Sequence, residues 1–219
     1  IVNARVTYNG ADFASSTAGV IGAAATTLAT SSLSAGNTTP YLISGSFAQT
    51  SSVIANAGLK FASSDTLTVN HSTLLTINNG ANTAGGILVT GGVAAVIANE
   101  GSATGLTTDG TGDLVIRTNA SGDSLNIQVP ITSTTTGGLT KNGAGTLTLS
   151  SASSYTGATQ IDAGTLKIGH ANALGATGTT RTTESGCGVG KLAPAIIEYG
   201  DGGGTKTTDS GCGAGKFPL

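Results

Sequence analysis

Two short runs come nearest to a familiar chemical loop in this sequence. Gly186-Cys187-Gly188-Val189-Gly190-Lys191 and its twin Gly211-Cys212-Gly213-Ala214-Gly215-Lys216 set a lysine behind glycines, the composition of a loop that wraps phosphate in backbone amides. The spacing fails. The first glycine of G-x-x-x-x-G-K-[ST] would fall on Ser185 or Ser210, and Leu192 or Phe217 follows the lysine where a metal-binding hydroxyl is needed. Two cysteines without clustered histidines cannot close a zinc site, His71 and His170 stand far apart, and no C-x-x-C-H haem signature occurs. The oxygen-rich turns Asp109 to Asp113 and Asn119 to Asp123 match neither the G-G-x-G-x-D nonapeptide nor an EF-hand loop, and Asp at a turn ordinarily caps backbone amides. Polysaccharide cleavage needs paired carboxylates, or a basic residue beside a metal, in one groove. Asp109, Asp113, Arg117 and Asp123 are the nearest approach to that. In a coil of about 20 or more residues they cannot all stack. The expectation is no catalytic residue, no cofactor and no metal ligand. Asn37-Thr38-Thr39, Asn70-His71-Ser72 and Asn119-Ala120-Ser121 fit the glycosylation pattern, which chance supplies readily in a Thr-rich chain.

The elements beneath these residues read as short strands. From Leu139 to Gly169 the chain holds three alternating runs, Thr146 to Leu149, Thr159 to Ile161 and Thr165 to Ile168, each bounded by Gly, Asn, Ser or Asp. Period-two alternation puts Leu147, Leu149, Ile161, Leu166 and Ile168 on one face and the Thr, Gln and Lys residues on the other. Links of roughly 4 to 9 residues are too short for a crossover helix. A chain that turns a corner after each strand and stacks coil on coil satisfies both limits.

The same stretch resembles the passenger-associated repeat of autotransporter proteins of Gram-negative bacteria, L-T-K-x-G-x-G-T-L-x-L, then Y-T-G-x-T, then I-x-x-G-T-L. The matching positions are Leu139, Thr140, Lys141, Gly143, Gly145, Thr146, Leu147, Leu149, Tyr155, Thr156, Gly157, Thr159, Ile161, Gly164, Thr165 and Leu166. The resemblance implies a right-handed parallel β-helix exposed outside the cell. It implies no particular ligand and no catalytic residue.

Composition agrees with a narrow core. Gly numbers 35 in 219 residues and aromatic residues are only 4%, where a globular sandwich would spend more Phe, Tyr and Trp on its centre. A hydrophobic content of 38% and a mean hydropathy of +0.19 argue against disorder as the source of so much Gly, Ser and Thr. Charged residues are 9% and the net charge is −2, so no basic stripe exists for nucleic acid. No window reaches the roughly 18 to 20 apolar residues of a membrane helix. The chain begins at Ile1 without Met and lacks the membrane barrel of an autotransporter, so it reads as a piece or a processed product.

Three regions follow. Residues 1–52 read as an irregular N-terminal coil or cap, with Arg5 to Tyr8 and Tyr41 to Ile43 as strands and Ala23-Ala24-Ala25 as an alternative seed for a short helix. Residues 53–175 read as the parallel β-helix, with strands at Val53-Ile54, Leu59 to Phe61, Thr66 to Val69, Leu74 to Ile77, Ile87 to Val89, Val93 to Ile97, Leu114 to Ile116 and Leu125 to Val129. Two or three strands per coil give roughly seven to nine coils and a rod on the order of 35 to 45 Å.

Residues 176–219 form a Gly/Cys tail in which Thr180 to Lys191 recurs as Thr205 to Lys216, 25 positions on. Stacked coils would set Cys187 over Cys212 at about 4.8 Å between Cα atoms, inside the roughly 4.4 to 6.8 Å that a disulfide tolerates. Ala195 to Tyr199 would be the strand between them, and a clasp or a link to a neighbouring molecule is the alternative. The whole reads as an all-β, right-handed parallel β-helix with a disulfide-bearing tail, and as a non-catalytic extracellular structural or adhesive rod at a Gram-negative cell surface. End-to-end self-association into a filament or sheath is the second reading, and a polysaccharide-processing β-helix enzyme a third. Partners are a second copy or a host, matrix or glycan surface, with neither nucleic acid nor membrane insertion.

Overall fold

The computed structural model describes residues 7–9, 12–17, 20–35, 39–55, 57–77, 86–102, 105–108, 112–132, 136–175, 180–182 and 196–199. Among these there is no helix, and hence none long and apolar enough to cross a membrane. The chain opens with an antiparallel ribbon of β1 (Thr7–Tyr8), β2 (Asp12–Thr17) and β3 (Val20–Ala23). Then follow β4 (Thr27–Ala29); β5 (Tyr41–Ile43), β6 (Phe47–Gln49) and β7 (Val53–Ala55); β8 (Leu59–Phe61), β9 (Thr66–Val69) and β10 (Leu74–Ile77); and β11 (Gly86–Val89), β12 (Ala94–Asn99) and β13 (Gly105–Thr107). Among the described residues the later coils hold two strands each: β14 (Leu114–Thr118) and β15 (Ser124–Ile127), β16 (Leu139–Asn142) and β17 (Thr146–Leu149), β18 (Thr159–Ile161) and β19 (Thr165–Ile168), β20 (Thr180–Thr182) and β21 (Ile196–Tyr199).

Every pairing after the ribbon is parallel. The first face runs β4-β5-β8-β11-β14-β16-β18-β20, the second β6-β9-β12-β15-β17-β19-β21, and the third β7-β10-β13. Eight strands on one face span roughly 34 Å at the usual strand spacing. Register partners on that face stand 14 residues apart at Leu28 and Leu42, 28 at Lys60 and Leu88, 29 at Leu88 and Arg117, and 20 at Thr140 and Gln160. The two longest coils, those that begin at β8 and β11, each hold a third strand. Beyond β13 the third face is reduced to a bridge between Leu106 and Ile131 and single backbone bonds, such as Ser154 N–H to Ile131 O at 2.9 Å.

Inward side chains stack like on like. One column on the first face reads Tyr41, Leu59, Ile87, Ile116, Lys141, Ile161; one on the second reads Leu67, Ile97, Ile127, Leu149, Ile168. All are buried, and each rung roofs the one before it, so a slender aliphatic column replaces an aromatic centre. The alternation holds at Leu147, Leu149, Ile161, Leu166 and Ile168, with Lys167 exposed. Thr159 is a correction. It shares the parity of Ile161 and is fully buried, so it does not lie with the solvent-facing threonines.

The N-terminal ribbon is also more regular than the sequence suggests. Ala23 lies in β3 opposite Ala14, and the Ala24 amide bonds to Phe13 O at 2.7 Å, so three alanines seed no helix; a run that short cannot offset the cost of helix nucleation. Phe13 and Ala24 pack on Leu88 and Val115, the outward residues of β11 and β14, and Asp12 pairs with Lys60. The ribbon therefore straps the outer side of the first face. The open end of the column is closed instead by Leu33, whose amide bonds to Gln49 Oε1 at 2.8 Å, while Tyr41 Oη donates to Ser34 O at 2.6 Å.

Candidate functional site

The corner between the first and second faces holds buried Asp123 and the head of buried Lys141, and its chemistry changes along the rod. In the early coils oxygen acceptors hold backbone amides of the adjacent coil. Asp65 Oδ2 accepts from Gly45 N–H (3.0 Å) and also from the Ser63 hydroxyl, while Ser46 Oγ accepts from Thr66 N–H (2.9 Å) and Ser64 Oγ from Ala94 N–H (3.1 Å). Asp123, fully buried, takes three amides: Gly92 at 2.7 Å, Val93 at 3.1 Å and Ala120 at 2.7 Å. Amides satisfy this carboxylate as a cation would, so the turn Asn119 to Asp123 is a cap. Asp113 works at another corner of the same coil, accepting from Gly138 N–H at 2.9 Å and Thr140 Oγ1 at 3.1 Å. Asp109 lies outside the described residues. Among the described residues no three of His, Cys, Asp and Glu come together as a metal site.

At β16 the corner switches to a cation. Lys141 lies in the inward column, fully buried, and its Nζ donates to the carbonyls of Asn142 (2.8 Å), Gly143 (2.7 Å) and Ala163 (3.1 Å). Burial, chiefly, and the nearby Arg117 lower its pKa to about 7, with Asp162 acting in the opposite direction. The reach to Ala163 requires adjacent corners to nest, and glycine permits it. A Cβ on Gly143 would stand 2.2 Å from Thr118 O, one on Gly145 2.2 Å from Asp123 O, and one on Gly164 2.3 Å from Gly143 O.

The opposite corner is equally tight. A Cβ on Gly157 would meet Gly138 N at 2.4 Å, and Tyr155 fills the side left by the missing third strand, its Oη 2.6 Å from Thr159 Oγ1. Burial pushes the Tyr155 phenol up to about 12, with the Thr159 bond pulling the other way. Leu139, Leu147, Leu149, Ile161 and Leu166 supply the buried lining. Residues 139–168 thus form one coil and the first strands of the next, with the motif residues as lining, corners and staple.

Residues 139–168 match the family model of the passenger-associated-transport-repeat. No curated protein and no solved structure matches the chain. The passenger repeat covers thirty of 219 residues, and the coils before it share its geometry without its motif.

On the outer side of the passenger repeat a polar ladder climbs the first face. Arg117 Nη1 donates to Asn142 Oδ1 at 2.9 Å and Nε to Asn119 Oδ1 at 3.0 Å, while Gln160 Nε2 donates to Asp162 Oδ1 at 2.6 Å. Burial lowers the Arg117 pKa. On the second face the outward positions from Thr66 through Ala94, Val96, Ser124, Asn126, Thr146, Thr148 and Thr165 carry no charge before Lys167. Cys187 and Cys212 lie outside the described residues. Sequence reasoning missed Gln49 and Phe13 as structural residues, and the capping of backbone amides expected of the Asn119 to Asp123 turn is what Asp123 does.

Proposed function

We propose that this chain is a passenger segment: a non-catalytic rod carried outside a Gram-negative cell, serving as a spacer and as an adhesive surface. The observation that carries this reading is the passenger-repeat match on residues 139–168, which stack in register on the coils before them. The uncharged Thr, Ser and Asn rows of the second face support an adhesive role, since they offer hydroxyls and amides to a glycan or matrix surface with little desolvation of charge. Protease treatment of intact cells producing the natural full-length protein is the test. Release of fragments containing this segment from the cell surface is expected; retention of the segment inside the cell overturns the reading.

The cysteines belong to the same proposal. β20 sets Thr180–Thr182, the opening of the first twelve-residue element, in register on β18, and the second element follows 25 positions later. Pairing of Cys187 with Cys212 would tie successive coils in the oxidising exterior. Non-reducing mass spectrometry should find that linkage within one chain. Free thiols or an interchain bond count against it.

A further inference from the structure

Two asparagines of the outer ladder share Arg117, but the backbone that follows each of them differs. Arg117 Nε donates to Asn119 Oδ1 at 3.0 Å and Nη1 to Asn142 Oδ1 at 2.9 Å. After Asn119 comes Ala120, whose amide is committed to Asp123 Oδ2 at 2.7 Å. After Asn142 comes Gly143, where the nested corner admits no side chain, a Cβ standing 2.2 Å from Thr118 O. Among the described residues the Gly143 amide makes no backbone bond; it donates to Asn142 Oδ1, 2.6 Å away.

That contact sets a backbone nitrogen against the side-chain carboxamide of the residue before it. Ring closure there needs a nucleophile, a support for charge on Oδ1 and an exit for Nδ2. Gly143 N is the nucleophile, and attack by it breaks no ladder bond. Arg117 Nη1 is the support, a cation already bonded to the oxygen on which charge develops. Nδ2 donates to Asp162 Oδ2 at 3.4 Å, and Asn142 is only half-buried, so water reaches it from the outer side.

We propose that Asn142-Gly143 is a self-modification site at which the folded chain converts Asn142 to Asp through a succinimide. Hydroxide from solvent takes the Gly143 amide proton, the nitrogen bonds to Asn142 Cγ, and the Cγ–Oδ1 π pair moves to Oδ1 beside Arg117. The pair returns, the Cγ–Nδ2 bond breaks, and the nitrogen leaves as ammonia with a proton from water, which restores the hydroxide. Water then opens the ring. The main-chain oxygen of Asn142 accepts from Lys141 Nζ inside the column, at 2.8 Å, whereas Cγ lies on the outer side beside Arg117. Water therefore adds at Cγ, the new Cγ–N bond breaks, and the native main-chain link survives with a carboxylate at position 142. Arg117, which has no carboxylate partner among the described residues, acquires one. Asn119 stays an amide, because the nitrogen that would attack it is held by Asp123.

Peptide mapping by mass spectrometry tests this on the purified chain, aged at neutral pH in water enriched in heavy oxygen, folded and in urea. In the folded chain Asn142 should become Asp carrying one solvent oxygen, about tenfold faster than in urea, where nothing orients the two groups. Asn119 should remain intact in the folded chain. Arg117→Gln, with circular dichroism unchanged, should slow the folded conversion by about tenfold or more. Slower conversion at Asn142 in the folded chain than in urea, isoaspartate as its main product, or a folded Arg117→Gln chain that converts at the native rate overturns the proposal. The comparison with urea needs no variant, so it decides even where Arg117→Gln fails to fold. The inference rests on the geometry of this corner and is independent of the passenger reading.

Discussion

The Lys141 ammonium donates to the backbone oxygen of Ala163, 3.1 Å away and 22 positions further along the chain. The same nitrogen holds Asn142 O and Gly143 O at its own corner, so one cation joins two stacked turns from inside the column. A lysine ordinarily keeps its head in water. Here its stem takes a place in the aliphatic stack between Ile116 and Ile161, and its head replaces the amides that an α-helical or sheet edge would have offered those carbonyls.

Substitution of Lys141 should therefore separate stem from head. Lys141→Met keeps most of the stem and leaves three buried carbonyls without their donor, each costing about 1 to 3 kcal/mol, offset to some extent by removal of a buried charge. Lys141→Ala adds a cavity and should lose roughly 2 kcal/mol more than the methionine variant. Urea unfolding gives the order. Hydrogen exchange should accelerate first at the amides of Ala144, Gly145 and Thr165, which bond to Asn119, Thr118 and Gly145 across the nested corners.

Two glycines at equivalent turns should respond unequally to alanine. Gly164 has φ of +76° and a Cβ there would stand 2.3 Å from Gly143 O and 2.4 Å from Gly145 O; Gly45 has φ of +86° with nothing within 4 Å. Gly45→Ala should cost only the left-handed backbone penalty, roughly 1 to 2 kcal/mol. Gly164→Ala must in addition push adjacent coils away from each other. It should destabilise the last coils by at least about 2 kcal/mol more than Gly45→Ala, as measured by thermal unfolding.

That contrast marks where sequence reading stops. Strands such as Leu59–Phe61, Thr66–Val69 and Leu74–Ile77 are legible to the residue, because each is an alternating run between turn formers. Phe47–Gln49 and Gly105–Thr107 are not, because Ala48 and Gly105 break the alternation and their strand character comes from the ladder neighbours Thr68 and Leu74. Thr159 and Lys141 look solvent-facing by residue type. Their burial follows from the stack around them, Tyr155 filling a missing strand beside Thr159 and Ala163 lying one coil on from Lys141. The ribbon is hidden for a related reason: its anchor is Phe13 against Leu88 and Val115, 75 and 102 positions later.

Asp123 should prove the most sensitive carboxylate. It is fully buried and serves amides of two successive coils, Gly92 and Val93 below and Ala120 in its own turn. Asp123→Ala strands all three donors and should cost about 3 kcal/mol or more. Asp123→Asn keeps the shape but turns one acceptor oxygen into a donor facing amides, so it should lie between alanine and the native residue. Exchange rates at Gly92, Val93 and Ala120 report the loss locally, which matters in a stack where neighbouring coils can open separately.

Stability should depend on pH with opposite slopes on either side of about pH 10. Lys141 titrates near 7 in the folded chain and at 10.5 ordinarily, so between these values the unfolded chain binds the extra proton and stability rises with pH. Its contribution is present above 10.5 and is lost as pH falls through 7, where the charge must be buried in the column near Arg117. Tyr155 runs the other way. Its folded value of about 12 lies above the ordinary 10.0, so its contribution is whole below 10 and is lost as pH rises through 12. Urea midpoints measured from pH 6 to 12 should thus climb and then fall. Lys141→Met should flatten the climb and spare the fall. Tyr155→Phe, which gives up the Thr159 bond for about 1 kcal/mol, should spare the climb and flatten the fall. A climb that survives Lys141→Met would mean that the ammonium is not the group that the column has to neutralise.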